Sequence, residues 1–441
     1  MITSPRFVGQ RFAVLGLARS GLASVASLVA GGAHVTAWDS REDARAALAE
    51  QVTLADPLTM DLTGFAGVVV SPGVPLNRHP IAAHAAGFGV DVIGDIELFA
   101  QARADLPAHR VVGITGTNGK STTTALVHHL CLAAGYPALL GGNIGLPVLG
   151  EAALPAGGIY VLELSSYQID LTRTLACDVA ALINLSPDHL DRYDGFDAYA
   201  AAKARLFAMQ HPGQHAVFGR SDPHTAAIAA RVAAGRDGAV VLCPDPAALD
   251  GQADWPALQG PHNLENAAIA VAIAQALGIA EAVWRPALAT FGGLRHRMER
   301  VAQADGVLFI NDSKATNPAS TAPALAAYPR VHWICGGLPK SDSLDECAGA
   351  FGHVVAAYVI GEAGPRFAEI LAPVMPVTRS EMLCDAVRQA MAAARPGDVV
   401  MLSPACASFD QFRDFEARGD AFRDIVRSLL GDRAAPDRAG A

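Results

Sequence analysis

Short, uninterrupted apolar runs that end in glycine or polar residues, each followed by a stretch with helical spacing, recur along almost the whole chain. No other feature restricts the fold as much. The runs are FAVLGL from Phe12, HVTAWD from His34, GVVVSPGV from Gly67, VVGITG from Val111, IYVLELS from Ile159, VAALINLS from Val179, VLFIND from Val307, VHWICGG from Val331, VVAAYVIG from Val354 and DVVMLSPA from Asp398. A strand apolar on both faces belongs in a parallel sheet covered by helices on both sides, and ligands then gather beyond the strands' carboxyl ends. The expected class is therefore α/β. At 441 residues the chain exceeds what one core holds, since domains run to roughly 50–200 residues. Polar stretches at QARADLPAHR and GLRHRMERV divide it into three expected domains: a Rossmann-like unit over 1–98, a central P-loop-type mononucleotide-binding unit with a parallel sheet over 99–293, and a C-terminal Rossmann-like unit over 294–441. Gly292 and Gly293 are a candidate hinge. The tail GDRAAPDRAGA lacks an apolar face and is expected to fray.

Apolar residues make up 51% and charged residues 17%, which supplies buried sheets and gives no sign of disorder. A net charge of −10 opposes binding to a polyanion surface, so any phosphate must be met locally and no nucleic-acid partner is expected. The seven cysteines show no C-x-x-C pair, which fits a reducing compartment, and a cytoplasmic location is expected. Arg19 interrupts the apolar start, so it does not read as a secretion signal. The run AAIAVAIAQALGIA is too short to cross a bilayer and is expected to be a core helix; no membrane insertion is expected.

The most specific motif is Gly113-Ile-Thr-Gly-Thr-Asn-Gly-Lys-Ser-Thr122, a strand running through a glycine loop into a helix. Glycines turn successive N–H groups toward phosphate oxygens, the helix start adds partial positive charge, and a Lys with a following hydroxyl suits a triphosphate with its magnesium. Ile114 stands where a strict Walker sequence has its first glycine, so the loop is written T-G-T-N-G-K-S-T, with Gly116 and Gly119. Glu163 comes late in IYVLELS, where a carboxylate can take a bound cation. Taken alone it reads equally well as a paired core acid. His189, beyond VAALINLS, reads by itself as a chance placement among 14 histidines, and Lys203 as a solvated helical lysine.

Taken in series, TGTNGKST, GGNIG from Gly141, LELSSYQ, INLSPDHLDRY, AAKARLF and GPHNLENAAIA resemble the Mur ligase family in order and spacing. NDSKATNPAST from Asn311 and LSPACASFDQFRDFEARG from Leu402 resemble the branch that adds D-glutamate to UDP-N-acetylmuramoyl-L-alanine. The likeness covers nearly the whole chain. It implies an ATP-dependent ligase that makes an acyl phosphate, with two magnesium ions. Gly116, Thr117, Asn118, Gly119, Lys120, Ser121 and Thr122 would hold the ATP phosphates. Ser121, Glu163, His189 and a carbamylated Lys203 would form the metal centre, with Lys120, Glu163, His189 and Lys203 as the catalytic set. Asn263, Asn266, Arg297, Asp312 and Lys314 would take the rest of the nucleotide. Arg19, Ser20, Ser40, Arg41, Gly73 and Asn143 would hold the UDP-linked acceptor, and Thr316, Lys340, Ser408 and Phe415 the D-glutamate. A monomer is expected.

The first domain carries Gly16-Leu-Ala-Arg-Ser-Gly21, in which Ala18 replaces the middle glycine of a dinucleotide fingerprint. That weakens the competing reading as a nicotinamide-dependent dehydrogenase. A sister ligase for another amino acid and a non-catalytic nucleotide switch also compete, since both would carry the same phosphate loop. One departure from the family stands in GGLPKSD, where Leu338 and Pro339 occupy a position that is usually acidic.

Overall fold

The structure is a computed structural model that describes residues 1–48, 50–235, 238, 240–340 and 342–431. Residues 432–441, most of the tail expected to fray, lie outside the described residues. The chain forms two compact units, Met1–Asp245 with Ala268–Trp284, and Pro246–Ala267 with Arg285–Ala441.

The first unit holds two sheets. One contains β1 (Arg11–Leu15), β2 (His34–Trp38), β3 (Thr53–Leu54), β4 (Gly67–Val70) and β5 (Val92–Ile93), all parallel in the order β3-β2-β1-β4-β5. The order reverses between β1 and β4, which opens a crevice at their carboxyl ends. The other contains β6 (His109–Thr115), β7 (Ala138–Gly142), β8 (Gly158–Glu163), β9 (Val179–Leu182), β10 (His215–Phe218) and β11 (Val240–Leu242), parallel in the order β11-β10-β9-β6-β8-β7. Helix Asp95–Ala102 connects the two, so the junction expected near Phe99 falls within a helix. The Glu97 carboxylate accepts from Arg173 N at 2.7 Å, Thr174 N at 3.0 Å and the Thr174 hydroxyl at 2.8 Å, and Phe99 packs edge-on to Tyr160 with ring centroids 5.0 Å apart. One continuous apolar core runs from Val14 and Leu28 through Phe99 to Leu162 and Phe207.

In the second unit, β12 (Glu299–Ala304), β13 (Val307–Asn311), β14 (Val331–Gly336), β15 (Val354–Ile360), β16 (Val377–Glu381) and β17 (Val399–Leu402) lie in the order β12-β13-β17-β14-β15-β16. All its pairings are parallel except that of β12, a strand the apolar runs did not include, which pairs antiparallel with β13. Asp305 at φ 51° and Gly306 at φ 76° supply the two positive φ angles of a tight hairpin, a link too short for the helix that a parallel crossover requires. Trp333 is fully buried between the sheet and its helices, and its indole N–H donates to Ser403 O at 2.7 Å. Residues 267–276 of the run expected to be a core helix lie in helix Pro261–Ala276, and the last four residues of the run lie beyond that helix; Ile269 and Ile273, which belong to the first unit, are fully buried. No helix among the described residues is long and apolar enough to cross a membrane. All seven cysteines are free thiols.

Candidate active site

The phosphate loop leaves the carboxyl end of β6, the strand flanked by β8 and β9. Gly116, at φ 154°, presses against the next strand so closely that a Cβ would lie 3.1 Å from Ile183 Cβ and 3.3 Å from Asn184 N. Gly119 at φ 80° then caps helix Lys120–Ala133 in the left-handed region, a conformation that suits glycine. Asn184 fixes the loop from below: its backbone carbonyl accepts from Thr117 N at 2.9 Å and its side-chain oxygen from Asn118 N at 2.9 Å. The Lys120 ammonium folds over the loop and donates to Gly116 O at 2.9 Å and Thr117 O at 2.7 Å. Ser121 is buried at the first turn, and Thr122 is half-buried beside it.

Glu163 ends β8, opposite Ile114 of β6 and Gly142 of β7. It is 2% exposed. Its Oε1 accepts from Asn143 Nδ2 at 2.8 Å, while Oε2 has no hydrogen-bond partner among the described residues. An unmatched carboxylate oxygen is costly to bury, and a cation is the group that removes that cost. Gly142 is needed for this approach: at φ 90°, a Cβ there would lie 2.2 Å from Glu163 O. No group of three or more His, Cys, Asp or Glu side chains converges on a metal-sized site among the described residues. Magnesium does not ask for one, since it is commonly held by one or two carboxylates with waters and substrate phosphates. The orphaned Glu163 oxygen and the Ser121 hydroxyl fit that demand.

Lys203 corrects the reading from its immediate sequence, because it is 2% exposed rather than solvated. It shares the buried face of helix Gly195–Ala208 with Tyr199, Leu206 and Phe207. Its ammonium donates to the Thr115 hydroxyl at 3.4 Å and lies 4.8 Å from the centre of the Tyr199 ring. Burial, then the charge of Lys120, drives its pKa well below the usual lysine range; Asp188, Glu163 and Asp170 oppose them. His189 adopts φ 53°, with Nε2 3.5 Å from Asp188 Oδ2, and its pKa is lowered by burial and by Lys120 and Lys203, against the pull of Asp188. These mutual charges show that Lys120, Glu163, His189 and Lys203 converge on one locality. Tyr199, which the sequence reading did not single out, ties it together: its hydroxyl lies 3.1 Å from the Thr117 hydroxyl.

In the first sheet, Gly16 and Gly21 are set by packing, since a Cβ on Gly21 would lie 1.9 Å from Gly16 O. Arg19 and Ser20 begin helix Arg19–Ala30, and exposed Ser40 and Arg41 follow β2. Asp39, where a dinucleotide fold keeps an acid for ribose, accepts from Leu17 N at 2.7 Å and Arg41 N at 2.9 Å and pairs with the Arg41 guanidinium at 3.6 Å. Its oxygens are already engaged by the protein. Gly73, past β4, is exposed with open space around its Cα.

In the second unit, Asn266 Nδ2 donates to Asn263 Oδ1 at 3.1 Å, and both side chains are buried on one helical face. Asp312, at the end of β13, accepts from Met298 N at 3.1 Å and the Ser403 hydroxyl at 2.8 Å; burial pushes its pKa up to about 7 against these bonds and the charge of half-buried Arg297. Exposed Lys340 reaches the Thr316 hydroxyl at 3.5 Å, Ser408 is buried, and the Lys314 ammonium lies 4.1 Å from the centre of the Phe415 ring. Leu338, at the departure from the family pattern, bridges Ala407 in antiparallel fashion. Arg418 was missed by the sequence reading. Its fully buried guanidinium donates to the Ser313 hydroxyl at 3.0 Å, Ser313 O at 2.9 Å, Cys406 O at 3.0 Å and Ala407 O at 3.0 Å, which fixes the segments beside Thr316 and Ser408.

Family models match three successive stretches of the chain. The Mur ligase MurD-like N-terminal domain matches residues 10–94, the Mur ligase middle domain 114–242, and the Mur ligase glutamate ligase domain 296–406. The UDP-N-acetylmuramoylalanine–D-glutamate ligase of Novosphingobium aromaticivorans is 77% identical over 99% of this chain and 98% of the relative. The protein of the same name from Sphingopyxis alaskensis is 59% identical over 97% and 100%. Among solved structures, the UDP-N-acetylmuramate-alanine ligase MurC from Thermotoga maritima shares the fold, with a TM-score of 0.56 at 15% identity over 95% of this chain and 99% of that one. A glycine loop closed by Lys120, a buried acid with an open oxygen at the next strand end, and family matches in all three sheet-bearing regions lead to one assignment: the chain belongs to the Mur ligase family.

Proposed function

We propose that the protein is the ATP-dependent ligase that joins D-glutamate to UDP-N-acetylmuramoyl-L-alanine, a cytoplasmic step in peptidoglycan synthesis. The convergence of Lys120, Glu163, His189 and Lys203 beside the phosphate loop carries the reading, and the relatives' shared name supports the substrates. A terminal oxygen of the acceptor's carboxylate attacks the γ-phosphorus of ATP. The bond from that phosphorus to the β–γ bridging oxygen breaks, ADP leaves, and an acyl phosphate remains. The free amine of D-glutamate then attacks the carbonyl carbon; the carbon–oxygen bond to phosphate breaks, and the amine releases its proton to solvent.

Gly116 to Thr122 hold the phosphates, and Lys120 neutralises charge as it spreads over the transferred group, the main demand of this chemistry. Magnesium, held by Ser121, Glu163, His189 and the modified Lys203, would supply further charge neutralisation when bound. In that modification the neutral Lys203 nitrogen adds to CO2 and loses a proton, which leaves a carbamate. The low proton affinity of the buried amine favours the step. Arg19, Ser20, Ser40, Arg41, Gly73 and Asn143 take the acceptor. Asn263, Asn266, Arg297, Asp312 and Lys314 take the rest of the nucleotide, and Thr316, Lys340, Ser408 and Phe415 take D-glutamate, with domain boundaries near residues 98 and 293.

Phosphate release is measured with the acceptor while D-glutamate, L-glutamate and a diamino acid are offered separately. Turnover with D-glutamate alone is expected; turnover with another amine alone overturns the member, and none at all overturns the ligase. A carbamate carbon signal after equilibration with 13C-bicarbonate, absent in Lys203→Met, tests the modification.

A further inference from the structure

A cleft of 130 Å³ in the first unit lies where the segment after β4 meets the segment that carries His189; its lining includes Val74, Asn77, Tyr167 and Arg192. Two contacts join the segments. Asn77 Nδ2 donates to Asp191 O at 2.9 Å, and Arg192 Nη2 donates to Val74 O at 3.0 Å. The same guanidinium lies 4.3 Å from the centre of the Tyr167 ring, and that ring stands 5.1 Å from the His189 imidazole. Arg192 N also donates to His189 O at 2.9 Å, closing the turn in which His189 takes its left-handed conformation. The Arg192 side chain therefore grips the carbonyl next to Gly73 and the ring that backs His189, while the backbone N–H of the same residue holds the backbone of His189.

We propose that Arg192 is a positioning residue that links the acceptor-binding segment at Gly73 to the placement of His189 at the metal–phosphate centre. The proposal rests on the acceptor and metal roles given above. The planar guanidinium suits the task, because it can stack on an aromatic face while donating in its own plane, which an ammonium cannot do. Binding of the acceptor beside Val74 holds the carbonyl that Arg192 grips, and so steadies the imidazole one turn away.

The test is a double-mutant cycle on the full chain with Arg192→Met and His189→Ala, reading kcat, KM for acceptor and KM for ATP, alongside melting temperature. In the wild-type background Arg192→Met is expected to lower kcat about tenfold and raise KM for acceptor, with KM for ATP unchanged. In the His189→Ala background it changes kcat by less than about twofold, because the group it positions is gone. Arg192→Lys recovers only part of the loss. Equal kcat losses in both backgrounds, or a lower melting temperature with normal kinetics per folded molecule, overturn the proposal. Absence of acceptor-dependent turnover in the unmutated protein overturns the ligase reading instead, so the two failures are distinct.

Discussion

Lys203 and Arg418 are both cations with almost no exposure, and the structure treats them in opposite ways. Arg418 is matched by four donor contacts to oxygen atoms, and although burial lowers its pKa to about 10 the guanidinium stays charged at neutral pH. Lys203 has one long contact to a hydroxyl and an aromatic ring, beside a second ammonium, and its pKa is forced well down. A buried charge whose hydrogen-bonding needs are met braces a fold; one left under-matched is a reagent awaiting a partner.

Parallel substitutions can break this contrast. The largest expected effect is from Lys203→Met, which should lower turnover by at least about 10²-fold with no loss of melting temperature; a destabilised but active variant would reverse the assignment. Arg418→Met should cost about 3 kcal/mol of stability in chemical denaturation, because buried carbonyls lose their donors, and an unchanged midpoint would remove its bracing role. Asp398 extends the contrast to an anion. Burial alone would raise its pKa, but Arg330 at 2.6 Å, Arg395 N at 3.0 Å and His332 at 3.1 Å outweigh that and hold it at about 2. A carboxylate depressed on folding adds stability above its unfolded pKa near about 4, and that stability is lost as pH falls toward about 2. Asp398→Asn should therefore be less stable than the parent by about 2 kcal/mol at neutral pH, with the gap narrowing below about pH 4. A gap independent of pH would contradict this. The smallest expected effect is from Tyr199→Phe, which keeps the ring beside Lys203 and loses the contact to Thr117, for about 1 kcal/mol in thermal unfolding. A loss several times larger would show that the hydroxyl, not the ring, governs this corner.

Much of the fold was legible, because strands buried on both faces leave continuous apolar runs. β12 was not, as ERVAQA carries a mixed pattern, yet the Asp305-Gly306 pair beside it was a readable hairpin signal. The phosphate loop was legible because its chemistry is contiguous. Lys203 and Arg418 were harder, because a side chain's satisfaction depends on residues distant in sequence. A trace existed nonetheless: Arg418 falls in step with Phe422 and Val426, and Lys203 with Tyr199 and Leu206, so each cation lies on an otherwise apolar helical face.

Asp39 bears on how hard it would be to give this chain a new coenzyme. Restoring a glycine at Ala18 would rebuild the fingerprint without freeing the acid, whose two oxygens already hold Leu17 N and Arg41 N. A designer, or a lineage drifting toward redox chemistry, would first have to find other acceptors for those two amides.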